Sequence, residues 1–269
     1  MNGFSLPRPA IDYAALSVAG RVRSRNEDAL LCRPDLGLWA IADGMGGHQR
    51  GELASATAVR ALESCIEAGL SLVDAVHQAN AAILRQAADE PDSEGMGSTL
   101  VAVSLAANGG ELAWVGDSRA YLLGTGGIEQ LSHDHSWVQS LVDAGELSAE
   151  EARVHPGRNL ILQCLGRNDQ DLEVDSRSLR LAPGELLLLC SDGLSGELED
   201  ARIRELCGAA GTLEEVVESL VAAAEEAGGR DNISCIVLGC RAGLSPLGKP
   251  GRGLFGRLLA RCNPFSRGV

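Results

Sequence analysis

Acidic residues at the ends of short apolar runs are the positions where this sequence offers chemistry. Asp43 follows the run 38–42 and is trailed by Gly44-Met45-Gly46-Gly47. Asp117 follows 112–116, and Asp192 follows 186–191 and precedes Gly193. Asp231 directly precedes 232–240, and the pair Glu27-Asp28 directly precedes 29–32. An ionised carboxylate beside a core is costly, and a cluster of carboxylates repels itself. Such a set persists where divalent cations neutralise it. Oxygen-only ligands suit Mg²⁺ or Mn²⁺ rather than Zn²⁺, which prefers His and Cys. The chain has no H-E-x-x-H spacing. Glycines beside Asp43 and Asp192 let a backbone carbonyl come close to a metal. Any one Asp-Gly pair reads as an ordinary turn; several acids, each at a strand end, favour a site.

The elements that must position these acids are legible from periodicity. Residues 13–18, 29–32 and 38–42 read as strands bounded by Gly, Asp or Pro. Helical spacing covers 51–69 (Leu53, Ala56, Val59, Leu62, Ile66) and 71–88 (Val73, Val76, Ala79, Ile83, Leu84). Strands return at 99–105, 111–115 and 119–123, broken by Asn108-Gly109-Gly110 and by 124–127. Residues 136–144, 148–154 and 159–165 read as short helical pieces. Strands follow at 172–181 and 185–191, joined by Pro183-Gly184, then helices at 197–207 and 212–227 and a last strand at 232–240. Thr212 and Glu215 have capping-box spacing. Clustered strands with helices between them predict an α+β fold built on antiparallel sheets, not a regular βαβ alternation.

Composition narrows the class further. The 269 residues are 45% hydrophobic but only 3% aromatic, so the core must be built from Leu, Val, Ile and Ala. A net charge of -14 repels a phosphate backbone, which argues against nucleic acid as a partner. The charge is uneven: Arg241, Lys249, Arg252, Arg257, Arg261 and Arg267 meet no acid between 241 and 269, which leaves -20 on residues 1–240. Of the eight cysteines none forms a C-x-x-C pair, and several sit in apolar runs, as reduced core thiols do. No signal pattern and no run of 18 apolar residues is present, so a cytoplasmic location is expected.

At the acidic positions the chain resembles the bacterial PPM (PP2C-like) metal-dependent serine/threonine protein phosphatases, over about 13–240. The resemblance rests on Gly20-Arg21-Val22-Arg23-Ser24-Arg25-Asn26-Glu27-Asp28, Ala42-Asp43-Gly44-Met45-Gly46-Gly47-His48 and Gly95-Met96-Gly97-Ser98-Thr99-Leu100. It continues through Trp114-Val115-Gly116-Asp117-Ser118-Arg119, Ser132-His133-Asp134-His135-Ser136, Cys190-Ser191-Asp192-Gly193-Leu194 and Gly229-Arg230-Asp231-Asn232. Each stretch is modest alone; their order over one domain is specific.

The resemblance implies a central antiparallel β-sandwich flanked by helices on both faces. It implies two Mn²⁺ or Mg²⁺ ions, with Asp43 bridging them, Asp192 and Asp231 completing the first, and the Gly44 carbonyl on the second. Glu27, and as an option Asp28, would hold metal-bound waters. Asp117 with Asp192 resembles the holders of a third, weaker metal, and Arg23 matches the arginine that grips the substrate phosphate. Paired metals make a water nucleophilic at neutral pH, and a guanidinium offers phosphate a fork of donors that Lys cannot copy. Eukaryotic members often carry His where Met45 stands; the leaving-group proton is left to His48 or to water. The stretch 136–165 resembles the flap near the family's active site, whose sequence is expected to set substrate choice, and His135 reads as a residue that fixes a loop.

The expected organisation is a phosphatase domain over 1–240 and a basic Gly/Pro/Arg-rich tail over 241–269. Leu254, Phe255, Leu258 and Leu259 with Arg257 and Arg261 have the makings of a short amphipathic helix for an acidic partner or anionic lipid, but a solubilising extension is the simpler reading. Expected partners are phosphoprotein substrates, a cognate Ser/Thr kinase and a phosphothreonine-binding protein, with the chain acting as a monomer. The competing function is a catalytically inactive PPM-fold binding module, which the intact Asp43, Asp192 and Asp231 disfavour. A nuclease is disfavoured by the acidic surface.

Overall fold

The computed structural model describes residues 11–46, 50–89, 95–106, 109–168 and 171–240. The chain opens with strands β1 (Ile11–Val18), β2 (Asp28–Arg33) and β3 (Leu38–Met45), followed by helices α1 (Arg50–Glu67) and α2 (Leu72–Asp89). Strands β4 (Gly97–Ser98), β5 (Leu100–Ala106), β6 (Gly109–Val115), β7 (Arg119–Gly124) and β8 (Gly127–Gln130) come next. Two short helices, α3 (Trp137–Asp143) and α4 (Ala149–Val154), precede β9 (Asp175–Leu179) and β10 (Leu186–Cys190). The chain finishes with α5 (Asp192–Ser195), α6 (Asp200–Ala209), α7 (Leu213–Ala227) and β11 (Ile233–Cys240).

The strands form two antiparallel sheets. One runs β1-β11-β10-β7-β8; the other runs β2-β3-β5-β6-β9, with β4 paired to β3. Side chains alternate across each strand, and here both faces are buried, which is why the central strands read as unbroken apolar runs. Trp39, Ile41, Leu187, Leu189, Ile236 and Leu238 pack between the sheets. Leu38, Ala40 and Ala42 turn the other way, onto α1 and α2. Leu188, Cys190, Cys235 and Val237 turn onto α6 and α7. The result is the helix–sheet–sheet–helix sandwich that the family resemblance implies, built from the antiparallel sheets expected from the clustered strands. Burying each Leu or Ile contributes about 1.5–3 kcal/mol, so this layering holds the frame on which the strand ends are mounted.

Local signals behave as expected at several places. Thr212 and Glu215 form a reciprocal capping box on α7, and Ser148 and Glu151 form another on α4. Among the described residues, Cys32, Cys65, Cys164, Cys190, Cys207, Cys235 and Cys240 form no disulfide.

Five readings need correction. The stretch 159–165 is not a helix: Leu160 O accepts from Trp137 N–H (2.8 Å), Leu162 N–H donates to His135 O (2.7 Å), and Leu165 bridges to Ser98. Its backbone groups are satisfied by distant chain, so no i→i+4 ladder forms. Asp43 lies inside β3 rather than after it, because pairing with β2 and β4 carries the strand on to Met45. Residues 119–130 close into a hairpin, so β8 exists where turn chemistry alone had been read. The strand read at 172–181 pairs only over β9, and the helix read at 197–207 sits at 200–209. His48 and the tail lie outside the described residues.

Candidate functional site

Strand ends from both sheets open onto one cleft. Asp28 and Asp43 face each other in the β2–β3 register. The Asp43 N–H donates to Thr99 Oγ1 (3.1 Å), and its carbonyl accepts from Thr99 N–H (2.9 Å) and Ser98 Oγ (3.0 Å), so the β3 end is fixed from three directions. Thr99 Oγ1 and Ser118 Oγ lie 2.8 Å apart, tying this strand to the turn that carries Asp117. That turn is held again by His135, whose Nδ1 accepts from Gly116 N–H (3.2 Å) while its Nε2 faces Asp175 at 3.4 Å.

Asp192 starts the single-turn helix α5, directly after β10. Its neighbour Gly193 has no room for a side chain: a Cβ there would meet Asn232 O at 2.0 Å. Asn232 is the clamp of the opposite rim. Its Oδ1 accepts from Glu27 N–H (2.9 Å), and its Nδ2 donates to Ala19 O (3.2 Å) and Arg25 O (2.7 Å). Arg21 N–H adds a bond to Gly229 O (2.8 Å). The loop bearing Arg23 and Glu27 is thereby locked onto Asp231, and Arg23 Nη2 donates to Asp231 Oδ2 at 2.8 Å.

At the third corner the start of α1 presses on the end of β3. A Cβ on Gly51 would sit 2.7 Å from Gly44 O and 2.9 Å from Glu27 Oε2; one on Gly44 would sit 2.0 Å from Gly51 O. Only glycine lets helix, carbonyl and carboxylate crowd this closely.

The cleft encloses about 480 Å³ and is lined by Arg23, Glu27, Asp43, Gly44, Asp117, Asp192 and Asp231. A larger groove of about 640 Å³ beside β1 and the α6–α7 turn carries only Asp12 and Glu214 as charged lining, so volume does not decide where the chemistry sits. Every residue proposed from sequence as a ligand lines this one cleft except Asp28. That residue sits just behind it, its Oδ2 accepting from Ser191 Oγ (2.9 Å) and Ser234 Oγ (2.6 Å).

Electrostatics mark the cleft as starved of positive charge. Burial pushes the Asp43 carboxyl well above its ordinary range, and Asp28, Asp192 and then Asp117 push it further. Asp117 is raised likewise, by burial and then by Asp192. Asp28 is raised by burial despite its two hydroxyl donors, and Asp192 by burial and by Asp231. Oδ1 of Asp28, of Asp117 and of Asp192 are buried without any hydrogen-bond partner, a costly condition for a carboxylate oxygen.

Among the described residues, no three His, Cys, Asp or Glu side chains stand drawn together as a finished ligand set. The donors nonetheless fit hard divalent cations. They are oxygens only, three of them are unsatisfied, and a backbone carbonyl stands beside them. Mn²⁺ or Mg²⁺ would satisfy the orphaned oxygens and cancel the repulsion that lifts the carboxyl pKa values.

Sequence reasoning identified the acids and Arg23 but not what aims them. Ser191, Ser234, Asn232, Thr99 and Ser118 do that work. Ser191 and Asn232 are adjacent in sequence to the acids; Ser234 shows itself only once β10 and β11 pair. Arg119 is a further missed element. Its Nε and Nη2 hold both Asp134 oxygens (2.7–3.0 Å) and its Nη1 donates to Tyr121 OH (2.9 Å), pinning the 131–136 turn beside Asp117.

Comparison with known proteins agrees with the geometry. Residues 20–237 match the family model described as Protein phosphatase 2C. The chain is 42% identical over 234 residues to the Mycobacterium tuberculosis serine/threonine protein phosphatase PstP, covering 84% of this chain and 44% of that protein. It therefore spans under half the length of that relative. It is 36% identical over 232 residues to the serine/threonine phosphatase stp of Listeria innocua, covering 81% of this chain and 92% of that one. A crystal structure of the PstP catalytic domain in complex with two manganese ions superposes with a TM-score of 0.75 at 38% identity, covering 85% of this chain and 97% of the other.

Proposed function

Because the chain belongs to the protein phosphatase 2C family, we propose that it hydrolyses phosphoserine and phosphothreonine on proteins with two Mn²⁺ or Mg²⁺ ions. The observation that carries this reading is the set of buried, partnerless carboxylate oxygens on Asp28, Asp117 and Asp192, gathered around a cleft with Asp43, Asp231 and Arg23.

When bound, the paired cations supply Lewis acidity and a nucleophilic water at neutral pH. The protein's own groups do the rest. Asp43, Asp192, Asp231 and the Gly44 carbonyl would hold the ions. Glu27, and more remotely Asp28, would fix waters around them. Asp117 with Asp192 would offer a third, weaker position. Arg23 turns from Asp231 toward the phosphate and presents its donors to the non-bridging oxygens, orienting the ester for in-line attack. Asn232 keeps Arg23 and Glu27 in register with Asp231. His48 or a solvent proton serves the leaving group.

The same reading includes a Ser/Thr kinase that makes the phosphoprotein, a phosphothreonine-binding protein as an intermediary, and action as a cytoplasmic monomer. Among the described residues no helix is long and apolar enough to cross a membrane. The 241–269 segment is read as a charged extension of the 1–240 catalytic domain.

The test is phosphate release from a phosphothreonine peptide. Turnover is expected only with added Mn²⁺ or Mg²⁺, stops with chelator, and falls at least about 10³-fold in Asp43→Asn with the fold intact. A wild-type chain inert with both metals would favour the binding-module alternative.

A further inference from the structure

The cleft has an apolar wall that hydrolysis itself does not require. Among the described residues the exposed large hydrophobic side chains are Val22, Leu70, Trp137, Val154, Leu160 and Leu162. Four of the six fall between 137 and 162, the stretch that gives Leu160 and Ile161 to the cleft, and Val22 precedes Arg23, which lines it as well. Scattered exposure needs no explanation, whereas clustered exposure beside a cleft marks contact with a partner.

Leu160, 57% exposed, and Ile161 line the cleft that contains Asp43, Asp192 and Arg23. Their backbone is pinned by Trp137 N–H to Leu160 O (2.8 Å), Leu162 N–H to His135 O (2.7 Å) and Arg167 Nη1 to Leu162 O (3.5 Å). The leucine is thus held out by hydrogen bonds that fix its position. Met45 and Met96 line the same cleft, and Met adapts its shape to an apolar neighbour. The cleft's charged lining is five carboxylates against Arg23 and Arg167. Divalent cations held by those carboxylates would cancel their charge, so what distinguishes one flanking residue from another is the apolar wall.

We propose that the cleft selects phosphoserine or phosphothreonine flanked by apolar side chains over sites flanked by acidic ones, with Leu160 and Ile161 as the contact surface. This rests on the phosphatase reading. The apolar flank buries against the wall, a contact of the size that gives about 10–200-fold discrimination per methylene-scale difference. An acidic flank would lose water against the same wall with no partner to replace it.

The experiment uses the full chain with Mn²⁺, p-nitrophenyl phosphate, and two phosphothreonine peptides. The peptides are identical except for Leu and Val, or Asp and Glu, on either side of the phosphoresidue. Wild type is expected to show at least a tenfold higher kcat/KM for the apolar-flanked peptide. Leu160→Ser is expected to cut that ratio about tenfold, mainly through KM, as loss of a buried apolar contact does. Leu160→Met is expected to keep it. A wild-type ratio near one, or a ratio unchanged in Leu160→Ser, overturns the apolar wall while turnover of p-nitrophenyl phosphate keeps the phosphatase reading. No turnover of any of the three substrates overturns both.

Discussion

The two sides of the cleft are built on opposite terms. The strands that carry or adjoin Asp43, Asp117, Asp192 and Asp231 run on into side chains such as Ile41, Val115, Leu189 and Ile236, none of which touches solvent. Across the cleft, between 137 and 165, only Val138, Cys164 and Leu165 are buried, and α4 buries nothing. The first side carries groups that must stay close together despite mutual repulsion, and it draws on a packed core to hold them. The second carries groups whose task is contact, and it is held mainly by hydrogen bonds to 98 and 135–137. Few buried apolar contacts mean that the second side opens at lower free energy. Reaction chemistry on the rigid frame and recognition on the lightly anchored side is the division the difference implies.

Asp192→Asn makes the largest break in that comparison. Turnover is expected to fall about 10³-fold, as loss of a group acting in the transition state does, while thermal unfolding without metal moves up, because one repelling carboxylate is gone. Kinetics and a melting curve on the same sample check both halves. Next comes Arg119→Ala, which cuts the anchor between β7 and the 131–136 turn. Removing the guanidinium leaves the buried Asp134 carboxylate with no opposing charge and only the Gln130 Nε2 donor (2.9 Å), at a cost of about 3–5 kcal/mol, read by denaturant titration. Leu188→Ala, in the layer beneath α6 and α7, is expected to cost about 2–5 kcal/mol by the same method.

A pH series sharpens the contrast without mutation. Asp28, Asp43, Asp117 and Asp192 all have folded pKa values raised above ordinary carboxylates. At these four groups the folded state therefore binds more protons than the unfolded one. Stability is fully present below the unfolded pKa and is lost as pH rises through the folded values. In chelator the melting temperature is expected to fall from about pH 4 upward, and Mn²⁺ is expected to restore it at neutral pH. The smallest effect belongs to Val154→Ser on the exposed side, expected within about 0.5 kcal/mol of wild type. A cost near that of Leu188→Ala would erase the distinction between the two sides.

How much of this was legible in sequence follows the same division. The strand ends were readable because their signal is local: an apolar run, an acid, a glycine. Asp43-Gly44 and Asp192-Gly193 carry that signal within a few residues. The stretch 159–165 was misread as helical because Leu160, Ile161, Leu162 and Leu165 give an apolar density without a period. What decides its shape is hydrogen bonding to Ser98 and His135, far away in the chain. Ser234 was invisible, and Asn232 was seen without its role, for the same reason. Their role is to hold Asp28 and Glu27, which lie more than two hundred residues earlier. Arg119 stood within a recognised stretch, but its partner Asp134 becomes apparent only when β7 and the turn after β8 lie side by side.

Calorimetric titration of Mn²⁺ into the metal-stripped full chain tests the central claim most directly. The account predicts binding of at least two ions per chain, lost or reduced to weaker binding in Asp43→Asn. An absence of binding in wild type, or an isotherm unchanged by Asp43→Asn, would contradict it.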